Sequence, residues 1–150
     1  MFNAYFTLLL IIGLLLDQLT KFVAEAKLSF FSPLDIIPGI LSLQLVHNRG
    51  AAYGLFEGKQ TFLLAVSIIV ILFCFIFQKK IGITFWLKYG VTFLMMGAIG
   101  NFIDRVFHGY VIDFIYIRIV PVFNFADVFI NIAIICFVLD LIYEKYSLQS

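Results

Sequence analysis

Residues 61–77 read TFLLAVSIIVILFCFIF, a run without a charged residue that stops abruptly at Gln78-Lys79-Lys80. A helix that crosses the hydrocarbon of a bilayer needs roughly 20 mostly apolar residues, within a range of about 17–25. A helix is suited to that task because it satisfies its backbone N–H and C=O groups internally. The run therefore predicts a transmembrane helix, and lipid becomes the solvent in which the rest of the chain must be read. Composition agrees. Of 150 residues, 63% are hydrophobic and 13% charged, with a mean hydropathy of +1.10. Soluble domains carry about 45–50% apolar and about 25% charged residues. Nineteen Phe and seven Tyr suit lipid-facing surface and interfacial belts. A net charge of +1 supplies no basic field for nucleic acid.

Working outward from that run, three more segments qualify: about 4–24, 84–103 and 125–143. The expected fold is membrane α-helical, with four transmembrane helices in one integral-membrane domain over 1–150. The first segment, with Leu8–Leu16 followed by Ala24-Glu25-Ala26, imitates a cleavable signal peptide, but Met1–Tyr5 has no Lys or Arg. We expect a retained helix. Gly97, Ala98 and Gly100 in the third segment allow close helix approach. Between the first two helices, residues 27–58 are punctuated by Pro33 and Pro38-Gly39, and Leu41-Ser-Leu-Gln-Leu45 alternates with period two. Alternation is a strand signature, so a small extracytoplasmic β element is expected there. Cys74 and Cys136 sit inside apolar runs and read as small core hydrophobes.

Four spans put both termini on one side. Lys79, Lys80, Lys88 and Lys145 gather there with only Asp140 and Glu144, which makes that side cytoplasmic by the positive-inside rule. Asp17, Glu25, Asp35, Glu57, Asp104, Asp113 and Asp127 all fall toward the opposite, outer face. Acids contribute little to orientation, so their clustering points to function. A transporter would place them nearer the midplane.

Ionisable groups at membrane depth are expensive and default to functional hypotheses. Here they arrive in four motifs: Asp17-Gln-Leu-Thr-Lys21; Val46-His-Asn-Arg-Gly-Ala-Ala-Tyr-Gly54; Gly100-Asn-Phe-Ile-Asp-Arg105 running on to Val111-Ile-Asp-Phe114; and Phe123-Asn-Phe-Ala-Asp127. Asp113 follows the third helix and Asp127 opens the fourth, so neighbouring helix ends can bring the two carboxyls together. Two close carboxyls cannot both ionise cheaply, and one keeps its proton. The ionised one can then draw a proton from water while the other polarises a scissile carbonyl. Capping of the fourth helix accounts for Asp127 alone, not for Asp113. Asn101, Asp104 and Arg105 share one helix face, and Asp17–Lys21 is an i, i+4 pair of supporting character. Gly50, Ala51 and Ala52 suit close backbone approach. His47 and His108 stand isolated, with no H-E-x-x-H helix, and no metal or other cofactor is expected. Asp140 reads as a solvated or snorkelling charge, and Trp86 and Tyr89 as interfacial anchors.

Taken together, in this order and over nearly the whole chain, the four motifs resemble the lipoprotein signal peptidase (signal peptidase II) family. The resemblance implies an intramembrane aspartyl endopeptidase with Asp113 and Asp127 as the catalytic pair. Asn48, Asn101, Arg105 and Asn124 are implied to hold substrate and orient the carboxyls. The implied substrate is a bacterial prolipoprotein whose cysteine carries diacylglycerol, cut just before that cysteine at the outer face of the cytoplasmic membrane. Globomycin-type inhibitors are implied to compete there. A non-catalytic binding protein of the same fold would be expected to lack one aspartate; both are present. The family resemblance also implies a mobile helix over the site, between the catalytic residues. Only 13 residues, 114–126, separate Asp113 from Asp127 here, so a reduced lid is expected.

Overall fold

A computed structural model of the chain describes residues 4–51, 55–78 and 84–147. Ala52, Tyr53, Gly54, Lys79 and Lys80, which entered the sequence reading, lie outside them. Four long helices form: α1 (Ala4–Lys27), α2 (Gln60–Phe77), α3 (Phe85–Phe107) and α4 (Phe125–Ser147). All four are long and apolar enough to span a bilayer. α3 is the axis of the bundle. Burial reaches 56% along its apolar span, against 17%, 11% and 22% for α1, α2 and α4, which leave most of their surface to lipid. It packs most extensively on α4, then on α2 and α1.

Small residues make that packing possible. Gly90 lies under the Phe137 ring, Gly97 against Ala126 and Ile130 of α4, and Gly100 against both Ala126 and the Asp17 carboxyl of α1. Without a side chain at these points, the α4 backbone at Ala126 and the side chains of Asp17 and Phe137 come directly against α3. At the other end, Thr84 caps α3 by accepting the Leu87 N–H at 3.1 Å and donates its hydroxyl to Asp140. Asp140 is thus tied to the start of α3, not left to solvent as the sequence suggested. The interfacial aromatics also interlock, with the Tyr89 hydroxyl donating to that of Tyr5 at 3.1 Å.

The β element is a three-stranded antiparallel sheet in the order β1 (Leu34–Ile37), β2 (Leu41–Asn48), β3 (Val111–Ile117). Its first two strands lie between α1 and α2 as expected and are joined at Pro38-Gly39. Gly39 has φ +75° there and Ile40 N–H closes on Ile37 O at 3.0 Å. Pro at the second position and a positive-φ Gly at the third are what a type II turn requires. The third strand was not anticipated. It comes from between α3 and α4 and carries Asp113, so this carboxyl stands on a strand and not on a helix end.

Register fixes what faces what. Leu43 pairs with Ile115 but Val46 with Asp113, so β2 carries one extra residue between them. Such a bulge turns the strand's faces over. Ser42 and Leu45, which simple alternation would put on opposite faces, are both buried. Beyond the bulge, Val46, Asn48, Val111 and Asp113 share one face.

Candidate active site

Asp113 and Asp127 line one open cavity of about 1040 Å³ with Asn48, Asn101 and Arg105. Its mouth is framed by the sheet and the segment after β2 (Arg49, Gly50, Ala51, Glu57). Its depth runs between α2 and α4 over a floor of Leu94, Gly97 and Ala98 from α3. No helix intervenes between Asp113 and Asp127. Residues 114–126 complete β3 and double back so that Phe123 bridges to Ile115. The implied helix over the site is absent from this interval, because a strand and its return consume the residues.

Each carboxyl is held by amide donors whose own orientation is fixed. Asp113 Oδ2 accepts from Asn48 Nδ2 at 2.9 Å, and Oδ1 from Asn124 Nδ2 at 2.6 Å. Asn48 cannot present its oxygen instead, since Oδ1 already accepts the Gly50 N–H at 2.9 Å. Asp127 Oδ1 accepts from Asn101 Nδ2 at 2.9 Å, and Oδ2 from the Asn124 N–H at 3.2 Å. In return Asn124 Oδ1 accepts the Asp127 N–H at 3.0 Å, which makes the two residues a capping box at the start of α4. Capping and membership of the carboxyl pair therefore coexist in Asp127. Asn124, fully buried, touches both carboxyls and also reaches Asn101 Oδ1 at 3.2 Å. Burial, and then the neighbouring Asp127 carboxylate, push Asp113 from 3.8 up to about 7, against the opposing pull of the Asn48 and Asn124 hydrogen bonds and of Lys21.

Beneath this pair lies a second buried cluster. Lys21 is 1% exposed and uses all three of its donors: Asp17 Oδ2 at 2.8 Å, Asp104 Oδ2 at 3.0 Å and Asn101 Oδ1 at 3.1 Å. Asp17 Oδ1 accepts the Ala126 N–H at 2.8 Å, satisfying one of the orphan donors at the start of α4 from another helix. Asp104 Oδ2 accepts the Ile112 N–H of β3 at 3.1 Å. The Asp17–Lys21 pair expected from its spacing forms, and Asp104, 1% exposed, joins it as a second partner of Lys21. Gly50 places its backbone where a side chain could not stand: a Cβ there would lie 2.8 Å from Leu55 O. Its carbonyl accepts from Arg105 Nη2 at 3.1 Å, and the buried Arg105 Nε has no hydrogen-bond partner among the described residues.

The two histidines are not isolated. His47 Nε2 stands 3.0 Å from both Glu25 oxygens, and its ring stacks on Tyr110 with centroids 3.8 Å apart. His108 stacks on the same tyrosine at 5.8 Å. Among the described residues no group of three or more His, Cys, Asp or Glu is arranged to hold a metal ion.

Comparison with known proteins supports the same reading. The family described as Signal peptidase (SPase) II matches residues 9–143. A lipoprotein signal peptidase of Caldicellulosiruptor bescii is 49% identical over 117 residues, 77% of this chain and 76% of that protein. One from Fusobacterium nucleatum is 38% identical over 142 residues, covering 90% of this chain and 84% of its own. Among solved structures, a bacterial membrane enzyme superposes with a TM-score of 0.90 at 31% identity, covering 96% of this chain and 91% of that one. With the family match running through all four helices and the sheet, the chain belongs to the signal peptidase II family of aspartic-type membrane endopeptidases, which process prolipoproteins.

Proposed function

We propose that this protein removes the signal peptide from diacylglyceryl-modified bacterial prolipoproteins, cutting just before the lipid-bearing cysteine with Asp113 and Asp127 as the catalytic dyad. The observation that carries the reading is that these two carboxyls, Asp113 buried and Asp127 half-buried, line one cavity and share Asn124 as a hydrogen-bond donor. Asp113 is raised to about 7, and we assign it the shared proton near neutrality and Asp127 the role of base; the titration belongs to the pair. Asp127 takes a proton from water as the hydroxyl adds to the scissile carbonyl, and Asp113 gives its proton to the developing oxyanion. In the second half Asp127 returns its proton to the departing amine and Asp113 recovers one from the gem-diol. The C–N bond breaks, leaving a carboxylic acid on the signal peptide and a free amine on the lipidated cysteine. No covalent enzyme intermediate is needed.

Arg105 and Asn48 flank the pair and hold the substrate backbone; Asn101 and Asn124 aim the carboxyls; Asp17 and Lys21 support them from α1. The cleft is lined by apolar residues of α2 and α4, Leu63, Val66, Val70 and Ile130 among them, which suits a substrate held in the membrane by acyl chains and a signal helix. Globomycin-type inhibitors would compete for this cavity. We place both termini in the cytoplasm and the dyad at the outer face of the cytoplasmic membrane, because Lys88 and Lys145 lie at the helix ends remote from Asp113 and Asp127.

The test is cleavage, in detergent, of a diacylglyceryl-modified prolipoprotein by wild type, Asp113→Asn and Asp127→Asn, each shown to be folded. Loss of at least ~10²-fold in both variants is expected. Near-normal cleavage by either removes that residue from the dyad, and wild-type binding without cleavage rejects the enzymatic reading for this chain.

A further inference from the structure

Beyond the dyad, a second group of titratable side chains converges where α1 leaves the membrane. Glu25, near the outer end of α1, receives His47 Nε2 at 3.0 Å to each carboxylate oxygen. Tyr110 feels the same carboxylate: burial, and then the Glu25 charge, push its phenol up and keep it protonated. The two rings stack at 3.8 Å with an interplanar angle of 16°, and Phe30 closes the far side of His47 edge-on at 4.7 Å. The remaining groups around them are His108, stacked on Tyr110, together with Arg49 and Asp104, whose charges Tyr110 feels.

Placement along the strands gives this cluster its meaning. His47 immediately precedes Asn48 on β2, and Tyr110 immediately precedes Val111, the residue opposite Asn48 on β3. Successive side chains on a strand point to opposite faces. His47 is therefore turned toward α1 while Asn48 is turned toward Asp113; the Glu25 carboxylate holds β2 through His47, and Tyr110, at the entry to β3, stacks on that ring. That helix already fixes the other half of the pair, since Asp17 holds the α4 backbone at Ala126 and Lys21 holds Asn101. α1 thus has one anchor for each carboxyl.

We propose that Glu25, His47 and Tyr110 are positioning residues for the cleavage reaction, bracing β2 and β3 against α1 so that Asn48 stays on Asp113. The proposal rests on Asp113 being a member of the dyad. Neither ring touches the reacting atoms; the set acts through the Asn48–Asp113 hydrogen bond, which favours the ionised form of Asp113. Loosening it should move the titration of Asp113 to higher pH and slow turnover.

The experiment uses the full chain in detergent with Glu25→Gln, His47→Phe (which keeps the ring stack) and Tyr110→Phe, each checked for unaltered thermal unfolding. Cleavage of a diacylglyceryl-modified prolipoprotein is followed against pH. In parallel, the Asp113 carboxyl is titrated by infrared difference spectroscopy with Asp113→Asn as the reference. Expected are a kcat about tenfold lower, within the ~10²-fold that a 1 Å misplacement can cost, an unchanged KM, and an Asp113 titration displaced upward. In an Asn48→Ala background Glu25→Gln should add nothing further, because the path to the dyad is already cut. Unchanged kcat and titration in the folded variants, a rise in KM alone, or additive losses with Asn48→Ala would each overturn the proposal. The infrared titration reads positioning without turnover. Should Asp113→Asn itself still cleave, the dyad assignment fails separately from the brace.

Discussion

Asn124 and Asp127 cap one another: the Asn124 side chain accepts the Asp127 N–H at 3.0 Å while the Asp127 carboxylate accepts the Asn124 N–H at 3.2 Å. The exchange consumes the Asn124 oxygen, so its amide nitrogen must face Asp113, 2.6 Å away. A helix cap thereby dictates the donor that one carboxyl of the pair receives and the rotamer that the other adopts. Asn124→Ala should cost about 1 kcal/mol or somewhat more as a lost cap, and lower kcat by a further ~10²-fold as both carboxyls lose their orientation. Thermal unfolding and kcat, measured on the same preparation, check both effects. A variant that loses stability but not turnover would show that the cap and the site are independent.

Lys21 should be the most destabilising of the polar positions to neutralise. It holds Asp17 and Asp104, which are 0% and 1% exposed, so Lys21→Met would leave two carboxylates buried without their counter-ion. Breaking a buried pair from one side typically costs about 3–5 kcal/mol. The expected outcome is a large fall in unfolding temperature in detergent, partly reversed by adding Asp17→Asn. If Lys21→Met instead unfolds like wild type, the cluster is electrostatically unimportant and α1 is held by packing alone.

Asp113 also makes a prediction about pH and stability. Native Asp113 keeps its proton up to about 7, whereas the unfolded residue releases it near 3.8. Between those values the native state binds more protons than the unfolded one, so Asp113 contributes a stability that falls as pH rises through that window. Asp113→Asn should therefore be more stable than wild type at pH 8, with the gain shrinking toward pH 4. On the proposed mechanism the same proton sets the alkaline side of the activity profile, expected near pH 7 for wild-type kcat, where the pair loses its acid form. Unfolding of both proteins across pH, followed alongside cleavage, tests the two limbs together.

What could be read from residues alone follows from the range of the forces involved. The four helices were visible because lipid imposes a long apolar run on each, whatever its partners. The site motifs were visible because polar residues at helix ends stand out against that background. The strand Val111–Ile117 was not, although Val-Ile-Asp-Phe-Ile-Tyr-Ile, bounded by His108-Gly109 and Pro121, carries the β-branched and aromatic bias of a strand. Its first four residues had been absorbed as the tail of a motif. The bulge in β2 left no local sign, since its register is set by the partner strand. His47 seemed isolated because its acid, Glu25, belongs to another element 22 residues away.

Gly100 tests the packing of three helices at once. A Cβ there would stand 2.5 Å from Asp17 Oδ2 and 3.1 Å from the Ala126 side chain, where α1, α3 and α4 meet. Gly100→Ala should cost about 1–3 kcal/mol as overpacking and lower cleavage, because the same shift breaks the Asp17 bond to Ala126. Gly109→Ala is the control: its φ of +78° is strained for alanine, but nothing lies within 4 Å. A Gly100→Ala protein as active and as stable as wild type would mean that the helices yield at this contact.

The proposed orientation can be read with two engineered thiols. Cys74 and Cys136 are buried, at 0% and 6% exposure, so a membrane-impermeant maleimide has little native background. Phe31, 94% exposed, precedes β1 on the side of the acids, and Lys145 lies exposed at the far end of α4. With Lys88 and Lys145 drawing their side to the cytoplasm, Phe31→Cys should label in intact spheroplasts and Lys145→Cys only after permeabilisation. The opposite pattern would put the carboxyl pair on the cytoplasmic face, where a substrate whose mature chain is exported could not present its scissile bond.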